Sequence, residues 1–353
     1  MDIRTRTLAA LRGEIPDQIP WLIYLGLFPR GESERRLRSQ GLGFAPHHMT
    51  AGLVRPNVTL EERTYLEGDV AVTERNVRTP VGSMTEKRRT ESGYGSSWVV
   101  EHMVKEPKDY ETLEFFIRDT QYYPDYEGFA RLEREIGADG LVIGSVLRAP
   151  FQRLWVEYTG LDRLILDLQD YPELVQRVLD AMLEKDRELW AIVGEAPTDF
   201  VWCPDNVSAS VTGPRHFDRF LAPYYQTLAD YMHPRGKKLV AHMDGPMRAL
   251  LGCVARCPVD VIEAFTPAPT GDVTLAEARA AWKDKAISLN FPSSVHLGSS
   301  AWIRAVTLDL LKQAAPGNGV LFTVTENVPE QNMEASLQVI TKTINEWKGA
   351  SEA

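Results

Sequence analysis

Lys238-Leu-Val-Ala-His-Met243 is a short apolar run with one imidazole in it, and Asp244-Gly-Pro-Met247 comes directly after it. Gly245 permits an abrupt turn, and Pro246 near a first helical turn sacrifices no N–H that the helix needs. The same unit, an apolar run trailed by a helical pattern, recurs at Gly140–Val146, Asp199–Cys203, Asp260–Phe265, Ala286–Phe291 and Gly319–Thr325. Thr212-Gly-Pro-Arg opens another of the helices in the same way. Strands that alternate with helices pair in parallel through right-handed crossovers. Upstream, Ile19–Leu27 is apolar on both faces, as a strand covered on both sides should be. With one more strand taken from about residues 69–76 the set reaches eight, and the pattern predicts an α/β fold of the (β/α)8 TIM type. No G-x-G-x-x-G or Walker A motif stands after a strand, which counts against a doubly wound sheet.

The N-terminal third departs from this rhythm. Leu8, Leu11 and Ile15 share one face of an amphipathic helix that Pro16 breaks, and residues 33–44 read as a charged helix. Residues 69–105 alternate apolar and polar around Gly-rich turns, Val77-Arg-Thr-Pro-Val-Gly and Ser92-Gly-Tyr-Gly. The expectation is one domain over 1–353 with a β-hairpin insertion at about 69–105.

Composition narrows the function classes. The 353 residues carry 39 Lys+Arg against 49 Asp+Glu, a net charge of −10, with no basic block. Nucleic acid and anionic membrane surfaces are therefore not expected partners. The longest apolar stretch, Trp21–Phe28, falls well short of the roughly 20 residues of a membrane span. The opening MDIRTRTLAALRGE has no apolar signal region, and three cysteines are too few for a disulfide framework, so a reducing cytoplasm is the expected compartment.

Barrel chemistry is built at the C-terminal ends of the strands. The residues just beyond the apolar runs are Tyr24 and Arg30, Arg148 with Phe151, Cys203-Pro-Asp205-Asn206, His242-Met-Asp244-Gly, Glu263, Asn290 and Glu326-Asn327. His242 and Asp244, two apart, project from one side of a strand. With Glu326 they make a three-ligand metal site with an open position; alternatively His242 and Asp244 bond each other and cap the next helix. Glu263 serves chemistry at the barrel mouth or a buried ion pair with an arginine such as Arg148. Asp205 and Asn206 orient a substrate or cap a turn. Cys203, Cys253 and Cys257 read as core, His47-His48 and His233 as loop and helix-end residues. The aromatics Trp21, Tyr24, Phe28, Tyr94, Trp98, Phe151, Trp155 and Trp202 read mostly as core, a few of them as pocket walls.

The segment Pro223-Tyr-Tyr…His233-Pro-Arg-Gly-Lys-Lys-Leu-Val-Ala-His-Met-Asp-Gly, with Asp260-Val-Ile-Glu-Ala-Phe and Gly271-Asp, resembles the uroporphyrinogen decarboxylase superfamily. So do Arg6…Leu11-Arg-Gly-Glu…Asp17-Gln-Ile-Pro-Trp and Leu311…Ala315-Pro-Gly-Asn-Gly. The resemblance spans nearly the whole chain and implies the same barrel. It also implies one of two activities, porphyrinogen decarboxylation or methyl transfer to a corrinoid protein. The decarboxylases resemble one another in an arginine-bearing signature after the first Pro-x-Trp. Here Pro20-Trp-Leu-Ile-Tyr-Leu-Gly-Leu-Phe-Pro-Arg30 stands instead, and Thr325-Glu326-Asn327 replaces their C-terminal Ser-His-Asn turn. Carboxylate-rich tetrapyrroles would go poorly paired.

In the methyltransferase branch a His-x-Cys and a later Cys bind zinc; laid on this chain they fall on His242, Asp244 and Glu326. Oxygen ligands in place of thiolates make a harder, more Lewis-acidic centre, suited to polarising an ether oxygen. The resemblance thus implies a corrinoid-dependent methyltransferase of the O-demethylase type. Its substrate would be a small methoxylated aromatic, its metal zinc on His242, Asp244 and Glu326, and its corrinoid carried by a partner protein. Glu263 and Asp205 are the expected catalytic residues; Tyr24, Arg148, Phe151, Trp202 and Asn206 line the substrate. The rival is a metal-free, decarboxylase-like lyase for a smaller acid. A homodimer is admitted by the same reading.

Overall fold

In the computed structural model the described residues are 1–90 and 96–348. The expected turn at Ser92-Gly-Tyr-Gly, with Tyr94, lies outside them. The chain forms two compact units, one of residues 1–48, 127–145 and 197–353, the other of 49–126 and 146–196.

The first unit is the barrel. Its strands are β1 (Trp21–Ile23), β2 (Leu42–Phe44, resumed at His47–Met49), β3 (Ile143–Ser145), β4 (Phe200–Cys203), β5 (Lys238–His242), β6 (Val261–Phe265), β7 (Ala286–Asn290) and β8 (Val320–Val324). The order β2-β1-β8-β7-β6-β5-β4-β3 returns to the resumed half of β2, and the registers between these strands are parallel. Leu141 N and Ile143 N donate to Phe44 O and Pro46 O at 3.1 and 3.0 Å, which closes the ring. No helix among the described residues is long and apolar enough to cross a membrane.

Two expectations are corrected. The eighth strand is β2, not residues 69–76, and the helix expected over 33–44 ends at Ser39. Leu42-Gly-Phe is too short a run to announce itself beside a charged helix. Gly43 is required there: a Cβ would stand 2.4 Å from Ile3 Cγ2 and 2.7 Å from Leu22 Cδ2.

The period-2 alternation of the strands stacks the interior in layers. Leu22, Ile143, Phe200, Val240, Val261, Ala286 and Leu321 form the lower layer, sealed from below by Ile3 and Leu11 of α1 (Ile3–Leu11). Ile15 lies beyond that helix and is exposed, so the expected apolar face stops at Leu11. One step up each strand the inward positions turn polar: Trp202, His242, Glu263, Ser288 and Thr323.

The second unit holds an antiparallel sheet of Thr59–Glu67, Val70–Thr79, Gly82–Thr90 and Ser97–Glu101. The hairpin expected around Val77-Arg-Thr-Pro-Val-Gly is present, with Thr79 opposite Gly82. Ala51–Val54 pairs with Gln121–Pro124. The helices of this unit are held by buried polar contacts, among them Arg153 with Asp186 at 2.8 Å and Tyr110 with Asp167 at 2.8 Å.

Candidate active site at the barrel mouth

Val240 and His242 point inward because Leu239 and Ala241 point outward, and β6 stands in register so that His242 faces Glu263. His242 Nδ1 donates to Glu263 Oε2 at 2.7 Å. Glu263 also accepts from Tyr24 Oη at 2.7 Å and from Trp202 Nε1 at 3.0 Å. Its carboxylate, almost fully buried, is thereby held by an imidazole, a phenol and an indole. The backbone that presents it is irregular: the β6–β7 register shifts between Glu263 and Phe265, and Ala264 adopts φ 59°. A bulge and a left-handed non-glycine residue cost about 1 kcal/mol or more, and such features gather where a side chain must be re-aimed.

On its other side, His242 Nε2 lies 3.7 Å from Asp244 Oδ2. Asn206, itself at φ 51°, donates to the same oxygen at 3.3 Å. Gly245 turns the chain away at φ 76°. Burial disfavours the imidazolium, yet Glu263 and Asp244, one on each nitrogen, outweigh it and raise the His242 pKa to about 10. Glu263 and Asp244, despite burial, are both held below the usual carboxylate range by that cation. Glu326 is different: burial raises its pKa, the Asp244 charge adds to this, and Ser293 and Asn290 bond its carboxylate. It is therefore within electrostatic reach of both Asp244 and His242.

Among the described residues no three His, Cys, Asp or Glu side chains stand together at coordinating spacing. The donor chemistry of His242, Asp244 and Glu326 nevertheless suits a divalent metal. With bonds of about 2.0–2.1 Å, two donors of a tetrahedral site stand about 3.4 Å apart. His242 Nε2 and Asp244 Oδ2 are near that separation, and the carboxylate on Nδ1 is the support a metal-binding histidine ordinarily has.

The other expected residues divide. Tyr24 and Trp202 join the cluster. Asp205 is fully buried and accepts from Tyr225 Oη at 2.5 Å, on the helix Ala222–Met232. Arg148 and Phe151 belong to the second unit, where Arg148 pairs with Glu157 at 2.9 Å and Phe151 is buried. The ion pair of Glu263 is thus with His242, a neighbour across the sheet. The three cysteines are free and buried, as core residues should be. Arg30 lies 4.6 Å over the Phe44 ring and 3.4 Å from Glu34.

His47, expected in a loop, stands instead on the resumed half of β2, His47–Met49. Its ring stacks on Trp202 at 3.9 Å and meets Tyr24 edge-on at 4.8 Å. Burial lowers its pKa to about 4. The hint available was Pro46 before a His pair, on a strand too short to recognise.

Residues 3–347 match the family described as uroporphyrinogen decarboxylase (URO-D). No curated protein matches the chain. Among solved structures it is similar to a methyltransferase from Methanosarcina mazei, at 14% identity and a TM-score of 0.61, over 98% of this chain and 99% of that one. A fainter likeness joins it to a B12-independent methionine synthase from Shewanella sp. W3-18-1, at 9% identity and a TM-score of 0.37, over 88% and 84% of the two chains. The likeness to the first is one of fold. With residues 3–347 under one family description and the barrel in place, the chain belongs to the uroporphyrinogen decarboxylase family.

Proposed function

We propose that this protein is a cytoplasmic methyltransferase that takes the methyl group of a small methoxylated aromatic and passes it to the Co(I) corrinoid of a partner protein. One observation carries the reading: His242 is braced through Nδ1 by Glu263 and turns Nε2 toward Asp244. That is an imidazole prepared to bind something other than its brace. The Methanosarcina mazei protein, alike in fold, is itself a methyltransferase.

In this reading His242, Asp244 and Glu326 would hold zinc, which when bound withdraws charge from the ether oxygen and makes the aryl oxide a better leaving group. Glu263 orients His242 and, through Tyr24 and Trp202, ties the wall of the site to it. Asn206 holds Asp244 in place, and Asp205, tied to Tyr225, anchors the turn that presents Asn206. The rings of Tyr24, Trp202 and His47 give an aromatic substrate flat surfaces to lie on.

A second reading is favoured by the charge of His242. An imidazolium held to about pH 10 between Glu263 and Asp244 is a proton donor at the mouth of a barrel, and a metal-free lyase for a small acid needs one to protonate the carbon that loses carbon dioxide. Arg30, occupied with Phe44 and Glu34, does not furnish the arginine cluster that a tetrapyrrole would need.

Metal content decides between them. Inductively coupled plasma mass spectrometry on the purified protein should find about one zinc per chain, lost in His242→Ala. Demethylation of methoxylated aromatics with a Co(I) corrinoid protein should need that zinc. A protein that takes up no metal in the presence of added zinc, and that turns over a carboxylic acid, would establish the lyase instead.

A further inference from the structure

The barrel's other end is also a pocket. A cavity of about 280 Å³ opens between the end of α1 and the N-terminal starts of β5 to β8, the opposite end from His242. Five cationic side chains line it, Arg12, Lys238, Arg279, Lys283 and Lys285, against two carboxylates, Asp260 and Asp284. In a chain of net charge −10 this is a local reversal of sign.

Two of the cations are fixed in place by the fold. Lys285 Nζ, buried, donates to Cys257 O and Val259 O at 2.8 and 3.1 Å. Arg279 Nη1 donates to Gln313 O and Ala315 O at 2.8 and 2.9 Å. Their carbonyl partners bear no charge, so these bonds position both cations without neutralising them. Asp260 is spent on Leu239 N and His233, at 2.8 and 2.9 Å. Asp284 is exposed and 3.5 Å from Lys285, a weak screened pair. Arg12, Lys238 and Lys283 have no side-chain partner among the described residues, and Lys238 is half-buried at the foot of its strand. A partly desolvated ammonium without a counter-ion is costly and gains most from an anion brought to it.

We propose that this pocket is a second ligand site, for a compact phosphate-bearing polyanion, separate from the chemistry at the barrel mouth. Lysine and arginine supply point charges and forked donors of the kind that phosphate oxygens accept. The carboxylates at the mouth repel the same ligand, so the two ends of one barrel sort anions by position.

The test is calorimetric titration of the full-length protein with inorganic pyrophosphate. Binding is expected at one site per chain, weakening as salt is raised. Lys238→Ala and Arg12→Ala should each weaken it by about tenfold, the worth of one charged hydrogen bond. Lys283→Ala, an exposed position where folding is not at stake, should weaken it in the same direction. His242→Ala should bind as tightly as the parent. No binding at low salt, unchanged affinity in all three cationic variants, or loss of binding in His242→Ala would each overturn the proposal.

Discussion

His242 donates from Nδ1 to Glu263 Oε2 across 2.7 Å, between neighbouring strands whose Cα atoms stand in register. The bond joins two side chains that are both almost entirely removed from water. A buried pair of this kind adds little net stability as a pair, but breaking it by removing one partner costs about 3–5 kcal/mol. Its sharper effect is on the pH dependence of the fold.

Glu263→Gln should destabilise the protein by about 3 kcal/mol near pH 6. The folded His242 pKa lies at about 10, above its unfolded value, so its contribution is complete below that unfolded value and fades as pH rises toward 10. The folded Glu263 pKa is depressed, so its contribution is present above the unfolded carboxylate value and is lost on acidification. Urea melts of parent and variant across pH 4–10 should differ most between those limits and converge at the alkaline end. A gap that widens above pH 8 would contradict the pairing.

His47 and His296 carry the opposite signature. Burial lowers both to a pKa of about 4, and Nε2 of each is buried with no hydrogen-bond partner among the described residues. The unfolded chain binds these protons first, so the fold loses stability as pH falls from about 6.5 to 4, on the order of 3 kcal/mol per group. His47→Phe should flatten that acid limb by about one proton. An unchanged slope in denaturant melts from pH 4 to 7 would show that His47 is not buried neutral.

Metal binding should separate the three mouth residues. His242→Ala and Asp244→Asn are expected to abolish zinc uptake, because their donor atoms already face each other at 3.7 Å. Glu326→Gln should weaken uptake by about 10- to 100-fold, and so should Glu263→Gln, which only supports the ligand. Equilibrium dialysis with elemental readout measures all four, and equal affinity across the set would remove the metal from this site.

Gly43→Ala tests the barrel closure. Its Cβ would meet Ile3, Leu22 and the Asp139 carbonyl within 2.9 Å, two of them core side chains with nowhere to go. A loss of about 1–3 kcal/mol in urea unfolding is expected, the usual cost of overpacking. A neutral result would mean that α1 shifts freely beneath β1 and β2.

Much of what depends on local period was legible in the sequence. Runs of four or five apolar residues announced β4 to β8, and the helix-opening turns between them made the sheet parallel. Their places at the ends of apolar runs marked Tyr24, His242 and Glu263 for the barrel mouth, and Trp202 read as a wall of the pocket. Tertiary structure decided what period cannot carry. The strand Leu42–Phe44 is too short to show a period and exists because it is hydrogen-bonded on both sides. The partner of Glu263 was set by the register of two strands, which gave it His242, while Arg148 closed a local pair with Glu157. His47 became part of the mouth only because the closing strand brings its ring against Trp202. A side chain's neighbours along the chain are written in the sequence; its neighbours across a closed barrel are fixed by stagger and closure, which belong to the whole sheet.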